Sequence, residues 1–493
     1  MPAYQALEAR CKRLSDMRGA LAVLHWDRQT MMPAGGNAVR ADQVATLQQI
    51  AHELLISAET GALLDRASAE APGLDPWQTA NLREMGRAYA HATALAPELV
   101  AAQARAAARA EMIWREARAE ADFERLRPAL EEVFRLAREE AAAKAAALGL
   151  APYDALLDGY EPGLTVRAID DLLDPLAEFL PDFLEQAIAR QRAPLPTPGP
   201  FPAARQKALG LRLMRALGFD FEHGRLDESA HPFCGGVPDD VRMTARYDES
   251  DAASGLMAIL HETGHALYNA GLPKAWRGQP VGRSLGMVAH ESQSLLLEMQ
   301  VCRSRAFLGH LAPLLRETFG RDGEAFAAGN LYRAAIRVAR GFIRVDADEV
   351  TYPLHVVLRY RLEKALLADD LQLADLPGAW NEGMRELLGI TPPDDRLGCL
   401  QDIHWPAGAI AYFPCYTLGA LMAAQLFQAI ERAAPEALSG IAEGEFQPLL
   451  AWLRANIHEQ GSLYDTQTLL TRVTGRPLEL QPFLDHLQRR YLA

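Results

Sequence analysis

Apolar residues recur every three or four positions along most of the chain, which predicts a mainly α-helical protein. The pattern is clearest over residues 101–149, where the strong helix formers Ala, Glu, Arg and Leu dominate. Apolar residues fall at helical spacing there at Leu126, Leu130, Val133, Phe134 and Leu136. We expect this stretch to form a pair of long scaffold helices without chemistry of their own.

One segment instead alternates polar and apolar residues with the period of a half-buried strand, namely Val241–Tyr247 (VRMTARY). The edge of such a strand can pair with an extended peptide. The acidic cluster Asp248–Asp251 follows, and its side chains are suited to capping the next helix.

The clearest break in the helical pattern is Ala193–Pro202, where five prolines and a glycine exclude helix. We therefore expect an N-terminal helical lobe over residues 1–192, a proline-rich connection over 193–202, and a second lobe over 203–493. The two lobes are expected to form one integrated domain rather than independent units.

A long apolar run over residues 407–424 (AGAIAYFPCYTLGALMAA) has the length of a membrane span. Pro414 and Thr417 interrupt it, and two tyrosines add polar groups. The run is therefore predicted to be a buried turn followed by a helix.

The composition and net charge of the chain exclude some classes of binding partner. The chain has 493 residues and a formal net charge of −14, and 49% of its residues are hydrophobic. Nucleic-acid binding and binding to an anionic membrane both require clustered positive charge, so neither is expected. Five cysteines without a CxxC pair indicate no disulfide framework, and the N-terminus lacks the apolar core of a signal peptide. We expect a cytoplasmic protein.

The helix that follows the predicted strand carries the candidate chemistry, His261-Glu262-Thr263-Gly264-His265. Two histidines four residues apart lie on one helix face and can bind one small cation. Glu262 lies beside them, where a base acting on metal-activated water is needed. The alternative is a histidine pair satisfied by carbonyl or carboxylate groups.

A catalytic zinc site needs a third protein ligand and an open position. Glu291 falls inside the apolar stripe of the later segment Ser284–Cys302, where an uncompensated carboxylate is costly. A divalent cation removes that cost, although an ion pair with an arginine would do the same. Glu298 is the second choice as ligand and the first choice as a hydrogen-bond partner of a ligand histidine.

These motifs together resemble the carboxypeptidase Taq family of metallocarboxypeptidases. The resemblance covers nearly the whole chain in the family's order. It rests on the segments Trp26–Pro33 (W-D-x-x-T-x-M-P), Asp240–Thr244 (D-x-R-x-T), His261–His265 (H-E-x-x-H), His290–Gln293 (H-E-S-Q), Ile343–Asp348 (I-R-x-x-A-D) and Gly398–Trp405 (G-x-x-Q-D-x-H-W). Thr263 departs from the family pattern, which often has an aromatic residue there.

The resemblance implies a large, mainly helical, saddle-like fold with a deep central groove, a zincin-type H-E-x-x-H helix and a very small sheet near the metal. It implies a homodimer, one zinc or cobalt ion per chain, and release of single C-terminal residues from peptides with broad side-chain tolerance. It also assigns the third metal ligand to Glu291 and makes Gln293 a neighbour of the ligands.

A mechanism follows from these parts. Glu262 takes a proton from the attacking water and hands it to the leaving amine. His231 and Tyr416 are candidates for stabilising the oxyanion.

An exopeptidase must also bind the free carboxylate of its substrate. Arg344 is the candidate for that task, with His404 in a related role, because a guanidinium binds carboxylate bidentately. Arg344 would alternatively pair with Asp346 or Asp348. Arg242 and Thr244 on the predicted strand are candidate peptide contacts.

Two other functions fit parts of the pattern. A helical zinc oligoendopeptidase would lack a carboxylate anchor, and so would accept an amidated peptide. A peptide-binding scaffold with a purely structural metal would have no use for Glu262.

Overall fold

The computed structural model describes residues 2–493, which contain twenty α-helices and three short strands. The first nine helices are α1 (Ala3–Thr30), α2 (Asn37–Ile56), α3 (Ala58–Glu70), α4 (Pro76–Thr93), α5 (Pro97–Glu120), α6 (Phe123–Leu148), α7 (Pro152–Leu157), α8 (Val166–Arg190) and α9 (Ala203–Ala216). The strands β1 (Gly224–Glu228), β2 (Phe233–Val237) and β3 (Asp240–Ala245) follow.

The later helices are α10 (Ala252–Gly271), α11 (Met287–Leu295), α12 (Arg305–Phe319), α13 (Ala328–Ala335), α14 (Tyr352–Leu367), α15 (Leu376–Leu388), α16 (Pro414–Ala433), α17 (Glu436–Ser439), α18 (Gln447–Asn456), α19 (Thr466–Thr474) and α20 (Gln481–Tyr491). The mainly α-helical fold with a very small sheet is confirmed.

The chain forms two compact units, each assembled from three separate segments. The first unit takes in the chain up to Ala92, Ala193–Ala335 and Gly419–Leu478. The second takes in Thr93–Arg192, Ile336–Leu418 and Glu479–Ala493. The chain passes from the second unit to the first between Arg192 and Ala193, where the proline-rich segment begins. Each unit, however, contains residues from both predicted lobes.

The helix pair predicted over residues 101–149 corresponds to α5 and α6. The Asp122 side chain accepts a hydrogen bond from the backbone N–H of Arg125 and so caps the start of α6, and Gly149 ends that helix in the left-handed conformation. All five apolar residues used to predict the helix are buried, namely Leu126, Leu130, Val133, Phe134 and Leu136.

The apolar run over residues 407–424 forms irregular chain followed by the first half of α16, which starts at Pro414. Phe413, Cys415, Leu418 and Leu421 are buried, which confirms the predicted buried turn and helix. Among residues 2–493 no helix is long and apolar enough to cross a membrane.

The sheet has the order β1-β3-β2, with β1 parallel and β2 antiparallel to β3. β3 confirms the strand predicted at Val241–Tyr247, although it ends at Ala245. It is the central strand, paired on both sides, so the prediction that it offers a free edge to a peptide is wrong. β2 and β1 form the edges, and neither was predicted.

Candidate active site

The site is built on α10. Asp251 caps this helix by accepting hydrogen bonds from the backbone N–H groups of Ala253 and Ser254, which confirms the expected acidic cap. His261 and His265 lie one turn apart, with ring centroids separated by 5.0 Å and ring planes inclined at 85°. The helix therefore presents two imidazoles to one side, as the four-residue spacing predicts.

Glu291 on α11 comes to the same place. Its Oε2 lies 3.5 Å from Nε2 of His265, and one ligand atom from each of His261, His265 and Glu291 lies within 4.8 Å of the others. Two ligands of a tetrahedral zinc ion are about 3.4 Å apart when each bond is 2.0–2.1 Å long. The donor set thus has the chemistry and spacing of a three-ligand metal site, and no arginine pairs with Glu291 among the described contacts.

Gly264, inside the H-E-x-x-H segment, lets α10 and α11 approach this closely. A Cβ atom at Gly264 would lie 2.5 Å from the backbone oxygen of Gln293 and 2.6 Å from Cα of Ser294. Gly419 has a similar position on the other side of Glu291, where a Cβ would lie 2.7 Å from the Glu291 Cβ. Side chains at these positions would displace the backbone that carries Glu291.

We therefore expect Gly264→Ala to lower metal affinity and to destabilise the fold by about 1–3 kcal/mol, as overpacking does. Isothermal titration of the metal-free protein and thermal unfolding measure the two effects. Gly309→Ala is the matched control, because Gly309 is also helical but nothing lies within 4 Å of an added Cβ. A Gly264→Ala protein that binds metal like the Gly309→Ala protein would contradict this account.

Each of these two histidines is held through its Nδ1 atom. Nδ1 of His261 lies 2.9 Å from Oε2 of Glu298, and Nδ1 of His265 lies 3.0 Å from the backbone oxygen of His290. Both Nε2 atoms are thereby left available to a cation. Glu298 thus contacts a histidine, the role for which it was the first choice from the sequence.

Glu298 is itself anchored by Arg303, whose Nη2 donates to Oε1 at 2.7 Å. Burial opposes the ionised form of Glu298, but Arg303 and His261 outweigh it and lower the pKa of this carboxyl to about 2. The segment Leu296–Cys302, which carries Glu298, is a π-helical continuation of α11. Such insertions are frequent at functional sites, where they redirect side chains.

Glu262 follows His261 directly and lies mostly out of solvent. Burial raises the pKa of its carboxyl, while the neighbouring histidines act in the opposite sense. Thr263 is fully buried, and its hydroxyl donates to the backbone oxygen of Ile259. Thr263 therefore has a structural contact within α10.

Four other predicted residues belong to the same unit. His231 is exposed in the turn before β2. Arg242 is bound by Asp240 and stacks on the indole of Trp26, with its guanidinium carbon 4.4 Å from the ring centroid. Thr244 is buried, and its hydroxyl accepts from the backbone N–H of Phe233. Oε1 of Gln293 lies 3.0 Å from Nε2 of His458.

The remaining three predicted residues, Arg344, His404 and Tyr416, belong to the second unit. Nε2 of His404 lies 3.0 Å from the Tyr416 hydroxyl. Arg344 donates to Oδ1 of Asp402 through Nε and Nη2, at 3.1 and 2.8 Å. The internal partner of Arg344 is thus Asp402, and the alternative partners suggested from the sequence are wrong.

Asp402 organises this part of the second unit. Its Oδ2 also accepts from Nε of Arg359 at 2.6 Å, and the two arginines outweigh burial and hold the pKa of the Asp402 carboxyl well below its usual range. Burial lowers the pKa of nearby His404 to about 4, so its imidazole is neutral at physiological pH. A neutral His404 imidazole can form the hydrogen bond between its Nε2 and the Tyr416 hydroxyl either as donor or as acceptor.

Three residues with a role in these contacts were not predicted from the sequence. They are Arg303, which binds Glu298, Asp402, which binds Arg344, and Gly264, where α10 and α11 approach closely. Asp402 lies in the G-x-x-Q-D-x-H-W segment, and Gly264 lies inside H-E-x-x-H, so both carried a signal in their motif position. Arg303 carried none, because its contact with Glu298 depends on the π-helical turn.

A His-His-Glu donor set beside a further glutamate, in a helical protein with one small sheet, is the arrangement of a helical metallopeptidase. Comparison with known families agrees. The family described as carboxypeptidase Taq (M32) metallopeptidase matches residues 6–491. The chain belongs to this family, and it is a metal-dependent carboxypeptidase that hydrolyses peptide bonds.

Relatives cover nearly the full chain. Thermostable carboxypeptidase 1 of Thermus thermophilus is 40% identical over 487 residues, which are 96% of this chain and 95% of the relative. Among solved structures, Trypanosoma cruzi metallocarboxypeptidase 1 superposes with a TM-score of 0.97 at 39% identity, covering 100% of this chain and 99% of the other. The M32 carboxypeptidase of Deinococcus radiodurans has a TM-score of 0.94 at 35% identity, with coverage of 100% and 99%.

Proposed function

We propose that this carboxypeptidase releases single C-terminal residues with broad side-chain tolerance, using one zinc ion held by His261, His265 and Glu291. The observation that carries the proposal is the convergence of these three side chains, with ligand atoms within 4.8 Å of one another, next to Glu262. Cobalt is the alternative metal, because it accepts the same nitrogen and oxygen donors.

The donor set fits a catalytic rather than a structural ion, since three protein ligands leave a fourth position open. When bound, the ion supplies Lewis acidity to the scissile carbonyl and makes a coordinated water more acidic. Glu298 and the His290 carbonyl keep both imidazoles in the orientation that leaves Nε2 for binding.

Glu262 is proposed as the general base and acid. Its carboxylate accepts a proton from the attacking water and then delivers it to the nitrogen of the leaving amino acid. Its position directly after His261 in the H-E-x-x-H segment supports this role, because that position lies beside the proposed ion.

His231 and Tyr416 remain proposed oxyanion donors, and Arg344 and His404 remain proposed contacts for the substrate carboxylate. The buried Asp402 holds Arg344 in a fixed orientation, which suits bidentate recognition. Arg242 and Thr244 are proposed to act indirectly, because both are engaged within the sheet and brace its strands. Main-chain pairing along the open edge of β2 would explain tolerance of many side chains.

A cytoplasmic homodimer is proposed as the form in which the enzyme works. The dimer rests on the family resemblance. The reducing location is supported by the five cysteines, which are all free thiols.

A peptide pool with free and amidated C-termini, digested with and without a chelator, tests the proposed reaction. We expect mass ladders that lose one residue at a time from free C-termini only, and no ladder after chelation. Internal cleavage of amidated peptides would instead identify an oligoendopeptidase, and chelator-resistant cleavage would contradict the metal-dependent mechanism.

A further inference from the structure

A groove in the first unit runs between α1 and α2 on one side and β2 on the other. Its cavity volume is about 480 Å³, within the range of small-ligand sites. The α1 wall contributes Arg18, His25 and Arg28, the α2 wall contributes Gln48, and the floor is Phe233–Gly236. We call it the α1–β2 groove.

The floor can receive an extended chain. Among residues 2–493, β2 pairs with β3 only, so its other edge has no strand partner. Two consecutive residues of the floor, Gly235 and Gly236, have no side chain to keep another backbone away. A peptide lying along this edge would place its own backbone and side chains under the α1 wall.

The α1 wall is cationic although the protein as a whole carries a net charge of −14. Arg18, His25 and Arg28 are separated by seven and three residues, so they lie along one face of the helix. Neither Arg18 nor Arg28 has a carboxylate partner in the described part of the chain, whereas the neighbouring Arg40 pairs with Asp27 at 2.7 Å. Two guanidinium groups without internal carboxylates that face one cavity are suited to binding an external carboxylate.

The groove reaches the catalytic helix through Cys234. This residue belongs to the floor, and its Sγ lies 4.0 Å from Nδ2 of Asn269 on α10. A peptide in the groove would therefore lie beside α10, the helix that carries Glu262 two turns before Asn269.

We propose that the α1–β2 groove is a substrate subsite in which Arg18 and Arg28 bind a carboxylate of the peptide while β2 pairs with its main chain. The proposal rests on the carboxypeptidase function proposed above. The carboxylate is that of an acidic side chain upstream of the cleaved bond, because the C-terminal carboxylate is assigned above to Arg344 and His404. Binding of acidic substrates would then depend on the charge of α1.

Steady-state kinetics on matched peptides test the subsite. The peptides differ only by Glu or Gln at positions two and three residues before the cleaved bond. We expect the double variant Arg18→Gln/Arg28→Gln to raise KM for the Glu peptides about tenfold or more with kcat nearly retained, the effect of losing charge-assisted hydrogen bonds. Arg13→Gln is the control, because Arg13 is exposed on the same helix outside the groove.

The pattern of KM values shows whether the groove binds an acidic side chain. A rise in KM for the Glu peptides alone supports an acidic side chain as the ligand of Arg18 and Arg28, and an equal rise for both sets would contradict it. KM values matching those of Arg13→Gln on both sets would overturn the subsite while leaving the carboxypeptidase function intact. A wild-type enzyme that releases no C-terminal residue would instead refute the proposed function.

A charge-reversal variant guards against a folding defect. With an acidic side-chain source, Arg28→Glu should lose activity on the Glu peptides and gain it on peptides with Lys at the same positions. A misfolded protein would not gain activity on any peptide. Uniform loss on Glu, Gln and Lys peptides, in a variant with wild-type thermal unfolding, would contradict an acidic side-chain source.

Discussion

Replacing Glu262 with glutamine is expected to lower kcat by about 10²- to 10⁴-fold, the usual contribution of a positioned general base. Glutamine has nearly the same shape as glutamate but cannot take a proton from water. His261, His265 and Glu291 are untouched, so the variant should still bind one metal ion per chain with near-native affinity. The expected result is a folded, metal-loaded and nearly inactive enzyme.

Metal analysis after dialysis and single-turnover hydrolysis of a short peptide measure the two halves of this prediction. Glu317→Gln is the control, because Glu317 is a glutamate of the same unit with an exposed side chain. Activity of Glu262→Gln within a few-fold of this control would remove Glu262 from the mechanism. If Glu262→Gln lost its metal together with its activity, Glu262 would be needed for metal binding, and its role as a base would not be supported.

The convergence of the three candidate ligands was predictable because its signals are readable in the sequence. The four-residue spacing of His261 and His265 requires only a helix, and Glu291 stood out as a carboxylate in an apolar stripe. The structure brings all three together. Glu298 was also anticipated as the partner of a histidine, although neither which histidine it contacts nor the π-helical turn that carries it was predicted.

Contacts between distant segments were not predictable in the same way. Asp346 and Asp348 are near Arg344 in sequence, yet Arg344 binds Asp402, which lies 58 residues later. The local carboxylate Asp348 is used instead to accept backbone N–H groups of Val350 and Thr351. Nothing in the spacing of these residues indicates which carboxylate the arginine contacts.

The sheet shows a similar limit. β3 was found because VRMTARY alternates and has β-branched and aromatic residues. β1 (GRLDE) and β2 (FCGGV) are five residues long, and β2 contains two adjacent glycines, which weaken any strand pattern. Without them, β3 could not be recognised as the central strand, and the open edge was assigned to the wrong strand.

Replacing Glu291 with glutamine is expected to reduce metal affinity by more than roughly 100-fold, beyond the 10- to 100-fold loss typical of a residue that only orients a ligand. A neutral amide is a poor replacement for the one anionic ligand of the set. Glu298→Gln should fall in the smaller range, since both Glu298 oxygens already bind His261 and Arg303.

Thermal unfolding with and without metal reports this difference without any measurement of activity. A ligand present at 1,000 times its Kd stabilises the native state by about 4 kcal/mol, so the wild-type melting temperature should rise clearly on adding zinc. Glu291→Gln should show almost no rise, and Glu298→Gln an intermediate one. If zinc instead stabilised Glu291→Gln more than Glu298→Gln, Glu298 would be the third ligand. The reason is that loss of the anionic ligand removes metal binding, whatever the distance between that carboxylate and the imidazoles in the metal-free protein.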